Sequence, residues 1–359
     1  MIDHVPSPGL STRFGKGIRV PSPKNEPEKA LNALLKAAGE GPKGILFPSS
    51  DFWVQFASQH RRELGERYEI ILPSEEVSRG LTNKRFQQDE AERLGIPLAK
   101  TFYPKHPADI EELRDDLQYP VFIKPYSGHL WRMHFPNKGF RADGPEELSS
   151  IFGKIFPLDL EAMVQEIVVG PNTNHFEVSI YIDHLGTMRG VFTAQKIRQY
   201  PVDFGMGTLL MSVHNPEAEE LASKLLNGMG HRGIADVEFK LDERDGRYKM
   251  LDINSRFWFQ TIQATCAGIN FPLIQYLDLT GQKMPEAPQQ RDGVYWINPM
   301  SDVLSIISRP RRKGDLRRAI TPYFEAEGFS YFAKDDLMPA IKKLTSRDTL
   351  SNLLFKIDG

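Results

Sequence analysis

Two short runs near the middle of the chain, Ala235-Asp236-Val237-Glu238-Phe239 and Leu251-Asp252-Ile253-Asn254-Ser255-Arg256, decide how the fold is interpreted. Each run alternates apolar and polar residues, which predicts β-strands, and Asp245-Gly246 between them is typical of a hairpin turn. In an antiparallel hairpin centred near Asp245, positions 238 and 252 lie opposite each other, and opposed side chains project from the same face. The hairpin therefore brings two carboxylates together.

Opposed carboxylates repel each other, and this cost is tolerated most readily when a divalent cation lies between their oxygens. Hard oxygen ligands suit magnesium that is held jointly with phosphates. We therefore predict that Glu238, Asp252 and Asn254 bind a metal, although each could instead be an ordinary solvent-facing residue of a half-buried hairpin. Arg256, two residues beyond the amide, favours the functional interpretation. Strict alternation would also place Met250 on the face of Asp252.

Composition limits the range of functions. The chain has 359 residues, enough for two or three packed subdomains, and its 45 Lys and Arg against 47 Asp and Glu give a net charge of −2. This balance does not support a general nucleic-acid-binding surface. The run from Arg309 to Arg318 is the exception, and a solvated loop or helix end is its ordinary interpretation, with an anionic substrate or partner as the alternative.

The single cysteine and the absence of long apolar runs favour a reducing compartment and a protein that does not span a membrane. Cys266 excludes an internal disulfide, fits a reducing environment, and lies in an apolar helical stretch, which favours packing over a nucleophilic role. Residues 1–10 lack the apolar core of a secretory signal, and no run approaches the ~18 apolar residues that span a bilayer. We expect a cytoplasmic protein without a membrane partner.

Three lysines lie where the phosphates of a nucleotide would need positive charge. Lys84 begins a predicted helix, Lys124 ends a buried strand before Pro125, and Lys196 lies late in another strand. Each alone is more typical of a solvated surface residue. Lys124, however, ends an apolar run that would bury its aliphatic stem, and a fixed ammonium group beside a triphosphate is a recurrent device.

Six motifs follow one another along about residues 84 to 281. They are Lys84, Ile123-Lys124-Pro125, Val164-Gln165-Glu166-Ile167-Val168-x-Gly170, Gln195-Lys196-x-Arg198, Asp236-Val237-Glu238-Phe239 and Asp252-Ile253-Asn254-Ser255-Arg256. In this order they resemble the ATP-grasp superfamily, and within it the carboxylate-amine ligase branch that includes D-aspartate ligase.

The resemblance implies an ATP-grasp fold of mixed α/β and α+β class, in which two α+β lobes clamp ATP. It divides the chain into an amino-terminal α/β domain (1–83), a small lobe with a linker helix (84–164), a catalytic lobe (165–284) and a carboxy-terminal extension (285–359). The first strand and glycine turn expected in the amino-terminal domain are not recognisable before Gly9. From the resemblance we therefore expect that this domain is trimmed or that its start is incomplete.

The resemblance also implies roles for individual residues. ATP would lie with adenine against the hinge and its phosphates on lysines, together with two Mg²⁺ ions, for which Mn²⁺ is an alternative. Because the loop after Lys124 lacks the usual glycines, Lys138 is a further phosphate candidate. The nucleotide-binding set is Lys84, Lys124, Lys138, Gln165, Glu166, Ile167, Val168 and Lys196; the metal set is Glu238, Asp252 and Asn254; the catalytic set is Arg256, Lys196 and Arg198.

The implied reaction is ATP-dependent formation of an amide bond between a small-molecule carboxylate and an amine, through an acyl phosphate. Amino acids are candidates for both partners, and a homo-oligomer is left open. The alternatives are a carboxylate kinase, a carboxylate-thiol ligase, or an ATP-binding module without catalysis. No residue identifies itself as the general base; His129, His134, His175 and His231 qualify by type alone, and each is more typical of a loop or packing histidine.

Overall fold

The computed structural model describes residues 1–202, 205–284, 288–308 and 315–346, with the side chains of His129, Asp315 and Leu316 excepted. Most of the basic run that begins at Arg309 therefore lies outside the described residues. The strands are β1 (Ile2–Asp3), β2 (Ile18–Arg19), β3 (Gly44–Ile45), β4 (Tyr68–Glu69), β5 (Thr101–Phe102), β6 (Val121–Pro125), β7 (Phe140–Ala142), β8 (Ala162–Glu166), β9 (His175–Ile182), β10 (Met188–Tyr200), β11 (Met206–Ser212), β12 (Gly233–Asp242), β13 (Arg247–Asn254), β14 (Tyr295–Ile297) and β15 (Gly328–Phe329). The helices are α1 (Pro27–Ala38), α2 (Asp51–Gln59), α3 (Arg61–Gly65), α4 (Glu75–Gly80), α5 (Lys84–Arg93), α6 (Pro107–Leu113), α7 (Gly128–Trp131), α8 (Pro145–Ile155), α9 (Pro216–Gly228), α10 (Thr261–Cys266), α11 (Phe271–Leu279), α12 (Pro299–Ile307), α13 (Asp315–Glu325) and α14 (Met338–Leu344).

A seven-stranded sheet in the order β13-β12-β9-β10-β11-β14-β15 forms the catalytic lobe. Its first six strands pair antiparallel, whereas β15 pairs parallel with β14 at the edge. Because β14 and β15 continue this sheet, the predicted boundary at 284/285 separates strands of one sheet. The described residues of 288–308 and 315–330 therefore pack as part of this lobe.

The two faces of this sheet have different neighbours. One face packs on α9 and α5 through a core that includes Val178, Val237 and Leu225. The other face packs on α10 and α11 at one end, around Tyr181 and Phe271. At the opposite end of this second face, the pairing places charged residues side by side instead, and this end carries the candidate site.

The predicted hairpin is present, with one difference. Glu238 pairs with Asp252, as the spacing predicts, but the next pair is Phe239 with Met250, so Leu251 is an extra residue in β13. This β-bulge turns Met250 into the apolar core on the face of Phe239. The prediction that Met250 shares a face with Asp252 is therefore wrong, because strict alternation fails at a bulge.

The small lobe is a four-stranded antiparallel sheet in the order β5-β8-β6-β7. Its apolar face packs on α6 and α8 through residues that include Ile123, Val164 and Phe152. Its other face carries Lys124 and Gln165, which lie on the paired strands β6 and β8. The alternation along these strands thus directs two polar side chains away from the lobe core.

The amino-terminal domain has a core of its own, formed by α1, α2 and α3 around Leu34, Val54 and Leu64. It contains two short parallel pairs, β1 with β2 and β3 with β4. Thr12 Oγ1 donates to Asp336 Oδ2 at 2.5 Å, which links this domain to the segment before α14. The amino-terminal and carboxy-terminal parts of the described chain therefore contact each other.

Two local features complete the description of the catalytic lobe. Asn215 caps α9, since its side-chain oxygen accepts from Ala218 N at 3.2 Å. Cys266 ends α10 and packs partly buried against the core of the catalytic lobe, and burial raises the pKa of its thiol. No described helix is both long enough and apolar enough to cross a membrane.

Candidate active site

The two opposed carboxylates lie at the junction of the lobes, each with a cation or donor beside it. Lys84, the first residue of α5, places its Nζ 2.6 Å from Asp252 Oδ1. Glu238, on the facing strand, accepts from His175 Nε2 at 2.9 Å. The repulsion that the sequence predicts is therefore offset by contacts with neighbouring side chains.

His175 connects Glu238 to Lys196. Lys196 Nζ lies 3.2 Å from His175 Nδ1, and both side chains are almost fully buried. Burial, together with the charge of Lys196, lowers the pKa of His175 to about 4, so the ring is neutral at pH 7. The ammonium group then donates to Nδ1, and the proton on Nε2 is donated to Glu238. This chain fixes the tautomer of His175.

The pKa of Glu238 is set by opposing effects. Burial alone would raise it, but the hydrogen bond from His175 and the charges of Lys196 and Lys84 outweigh burial and hold the pKa of Glu238 well below its usual range. Glu238 is therefore an ionised carboxylate, the form in which it can bind a cation.

Two further buried acids lie on the same face. Burial raises the pKa of Glu177 to about 7, against the opposing charge of Lys196. Gln260 Nε2 donates to Glu177 Oε2. Burial also raises the pKa of Asp236 well above its usual range, and the charges of Glu177 and Glu238 act in the same direction. The ionised carboxylate of Glu238 thus lies on the same face as two carboxyl groups, those of Glu177 and Asp236, whose pKa values are raised.

The donor set can be tested for a metal. Among the described residues, ligating atoms of His175, Glu177 and Glu238 all lie within 4.8 Å of one another. Lys196 Nζ already supplies a positive charge to this group, 3.2 Å from His175 and 4.0 Å from Glu177. The ligands predicted from the sequence, Glu238, Asp252 and Asn254, offer carboxylate and amide oxygens, which are the hard donors that Mg²⁺ prefers.

Lys124 approaches the same carboxylates from the small lobe. Desolvation and the nearby charge of Lys84 lower the pKa of Lys124 to about 8, while Asp252 and Glu238 oppose this shift. Its Nζ donates to Gln165 Oε1 at 2.8 Å, and Gln165 Nε2 donates to Thr101 Oγ1 at 2.9 Å. Gln165, predicted to contact the nucleotide, therefore holds Lys124 in position.

The predicted hinge carries two cations from the catalytic lobe. Arg244 lies 3.4 Å from Glu166 Oε2 and 3.3 Å from Ile167 O, and Lys240 Nζ donates to Val168 O at 2.9 Å. The acceptor groups that the sequence assigns to adenine thus have intramolecular partners here.

Two predicted residues lie apart from this group. A β-bulge at Ile197 leaves Arg198 paired with Leu209 rather than on the face of Lys196. Arg198 instead forms a buried, two-pronged ion pair with Asp302, at 2.8 and 2.7 Å. Its prediction as a catalytic residue is therefore corrected. Lys138 is exposed before β7 and bonds to none of the residues that the structure describes.

Arg256 lies beside the proposed metal ligands and contacts another domain. Its Nη2 donates to Asn254 Oδ1 at 3.1 Å, and its Nε donates to Asp51 Oδ1 at 2.7 Å. Asp51 belongs to α2 of the amino-terminal domain, 205 residues away along the chain. The sequence analysis did not identify Asp51, because no local sequence pattern indicates which acidic residue of one domain contacts another domain.

Of the three candidate histidines whose side chains the structure describes, one belongs to the site. His175 lies there, whereas His231 is fully buried near Ile234 and His134 is exposed after α7. The side chain of His129 lies outside the described residues. Apolar residues alternate along 176–182, which predicts a strand and places His175 at its start. This position was the signal in the sequence that could have indicated His175.

Solved structures identify this arrangement of lobes. The chain superposes on N5-carboxyaminoimidazole synthetase from Staphylococcus aureus complexed with ADP with a TM-score of 0.64, 16% identity, and coverage of 83% of this chain and 74% of that one. An L-amino acid ligase from Bacillus licheniformis gives a TM-score of 0.58 and 16% identity over 79% of this chain and 67% of the other. A family model described as "ATP-grasp in the biosynthetic pathway with Ter operon" matches residues 165–302.

The chain has the ATP-grasp fold, and the family match falls on its catalytic lobe. The chain is also similar to D-aspartate ligase from Enterococcus faecium (strain Aus0004), with 24% identity over 255 residues, or 67% of this chain. It spans 61% of the length of that relative. Two of these relatives are named as ligases. The fold predicted from the sequence is confirmed.

Proposed function

We propose that this ATP-grasp protein is an ATP-dependent carboxylate-amine ligase. The observation that carries the proposal is the meeting of Lys84, Lys124 and Lys196 around the opposed carboxylates Glu238 and Asp252, where the two lobes adjoin. Alternating charges of this kind complement a metal-bound triphosphate. The names of the relatives, D-aspartate ligase and L-amino acid ligase, support the same reaction class.

Each set of residues has a proposed task. Glu238, Asp252 and Asn254 would hold Mg²⁺, which would offset the repulsion between an anionic carboxylate and the triphosphate. Lys84 and Lys124 would bind phosphate oxygens, exchanging their present contacts for them. At the hinge, adenine would bind the main-chain groups of residues 167 and 168 in place of Arg244 and Lys240. Two Mg²⁺ ions, and Mn²⁺ as a substitute, remain predictions.

The proposed reaction has two steps. An oxygen of the substrate carboxylate attacks the γ-phosphorus, the bond to the bridging oxygen breaks, and ADP leaves with that electron pair. The amine nitrogen then attacks the carbonyl carbon of the acyl phosphate, inorganic phosphate leaves, and the nitrogen loses a proton. Arg256, beside the metal ligands, would stabilise the negative charge of the phosphate in both steps.

The experiment is an assay for ADP and hydroxamate with hydroxylamine in place of the natural amine. We expect ADP and hydroxamate in equal amounts, and only when Mg²⁺ and an acid are present. ADP formed at the same rate without any acid would overturn the proposal. An acyl phosphate that accumulates unchanged in the presence of every amine would indicate the kinase alternative, and a thioester would indicate thiol ligation.

A further inference from the structure

The Asp51–Arg256 ion pair joins the amino-terminal domain to the catalytic lobe. Asp51 receives two hydrogen bonds from the guanidinium group, at 2.7 Å from Nε and 3.4 Å from Nη2. The Asp51 side chain is 56% exposed and that of Arg256 is 23% exposed. An ion pair this open to solvent stabilises a protein little, so a ligand can exchange with it at small cost.

Arg256 also lines a narrow cleft between the two domains, with a free volume of about 10 Å³. Pro48 and Leu72 line it from the amino-terminal domain, and Arg232, Ser255 and Gln275 line it from the catalytic lobe. Ring contact between Phe47 and Phe257, with centroids 5.9 Å apart, holds the domains together beside it. The cleft thus presents arginines and polar groups against an apolar wall, and the Asp51 carboxylate accepts a hydrogen bond from one of these arginines, Arg256.

The cleft adjoins the proposed reaction centre. Arg256 Nη2 is 3.1 Å from the side-chain oxygen of Asn254, one of the proposed metal ligands. The fork of Nε and Nη2 on one carboxylate is also the way in which arginine binds carboxylate ligands. Asp51 therefore occupies the position on Arg256 that a substrate carboxylate would take.

We infer that Asp51 selects an amino acid as the acid that is activated. When the carboxylate of the substrate displaces Asp51 from Arg256, the freed Asp51 binds the ammonium group of the same molecule. A simple carboxylic acid would leave Asp51 without a partner and next to a second anion, and would therefore bind less well. This inference rests on the proposed function and adds the class of substrate to it.

The test compares matched acids with and without an ammonium group. Aspartate with succinate, and alanine with propionate, are assayed with Mg²⁺-ATP and hydroxylamine in the full chain and in Asp51→Asn. We expect the wild type to prefer the amino acid, and Asp51→Asn to raise its KM at least about ten-fold, with little change for the matched simple acid. Asp51→Glu should restore part of the preference.

The control is Glu26→Gln, which removes an exposed ion pair with Lys29 in the same domain and should leave every KM unchanged. An equal rise of KM, or an equal loss of kcat, for both members of each pair would overturn the inference, because Asp51 would then only hold Arg256. A wild type that prefers the simple acids would overturn it as well. Absence of acid-dependent ADP with every acid would instead defeat the proposed function itself, and with it the inference.

Discussion

At the scale of single residues, the chain Lys196–His175–Glu238 explains how acids can be crowded on one sheet face. The neutral ring of His175 accepts a hydrogen bond from the buried ammonium group of Lys196 and donates one to the carboxylate of Glu238. These contacts keep the carboxylate ionised and oriented. Side chains that orient metal ligands in this way commonly contribute about 10- to 100-fold to metal affinity.

Replacing His175 by Gln is therefore expected to weaken Mg²⁺ activation. The apparent dissociation constant for Mg²⁺, measured from ATP turnover at fixed ATP, should rise about ten-fold or more, because Glu238 loses its donor. The control is His214→Gln, which removes a histidine–glutamate contact at an exposed position, 3.1 Å from Glu219. An unchanged Mg²⁺ dependence in the His175 variant would show that this hydrogen bond is not needed.

The two opposed carboxylates are expected to be more critical. Glu238→Gln and Asp252→Asn should each lower kcat by at least about 100-fold, since each removes a charged ligand while keeping the size of the side chain. Circular dichroism and thermal unfolding should stay close to those of the wild type. Near-normal ATP consumption by either variant would contradict the metal assignment.

At the scale of elements, two β-bulges show where the alternation of residues along a strand fails to predict the face on which a side chain lies. The hairpin could be predicted because its strands alternate and Asp245-Gly246 forms the turn. The extra residues Leu251 and Ile197 reverse the expected face of Met250 and of Arg198, and nothing in the local composition announces them. Bulges follow from twist and packing in the whole sheet, which a single strand does not encode.

The Arg198 correction gives a prediction for stability. Arg198 also donates to Ala319 O at 3.1 Å, and Asp302 accepts from Tyr323, so this ion pair docks α12 and α13 on the sheet. Arg198→Met should lower the free energy of unfolding by about 3–5 kcal/mol, because it leaves the charge of Asp302 buried and unpaired. A large loss of kcat with unchanged denaturant midpoint would restore the catalytic assignment.

The turn between α9 and β12 should make the fold sensitive to acid. Burial lowers the pKa of His231 from 6.5 to about 4, so the unfolded state binds a proton more readily than the folded state. The contribution of His231 is fully present above pH 6.5 and declines as the pH falls toward 4, by about 3 kcal/mol in total.

Denaturant unfolding between pH 4 and 8 measures this effect. His231→Gln should lose less stability than the wild type over the acidic range, whereas His134→Gln, at an exposed loop position, should follow the wild type. Parallel pH profiles for the wild type and His231→Gln would contradict the prediction.

At the scale of the whole molecule, local sequence patterns predicted individual strands and helices but not how the domains pack against one another. The opposed pair Glu238 and Asp252 followed from strand periodicity, and the family resemblance supplied the lobes. The contact of Asp51 with Arg256 depends on how two domains pack, and the sheet of the catalytic lobe continues to β15, beyond the predicted boundary. Both features arise from long-range packing, which one sequence does not reveal.

The central claim is that this site transfers a phosphoryl group to a carboxylate. It is tested most directly with a substrate acid whose carboxylate oxygens are ¹⁸O, by mass spectrometry of the phosphate released during amide or hydroxamate formation. The account predicts one ¹⁸O atom in each phosphate, because the acyl phosphate leaves with the bridging carboxylate oxygen. Phosphate that carries no label, while the amide still forms, would contradict it.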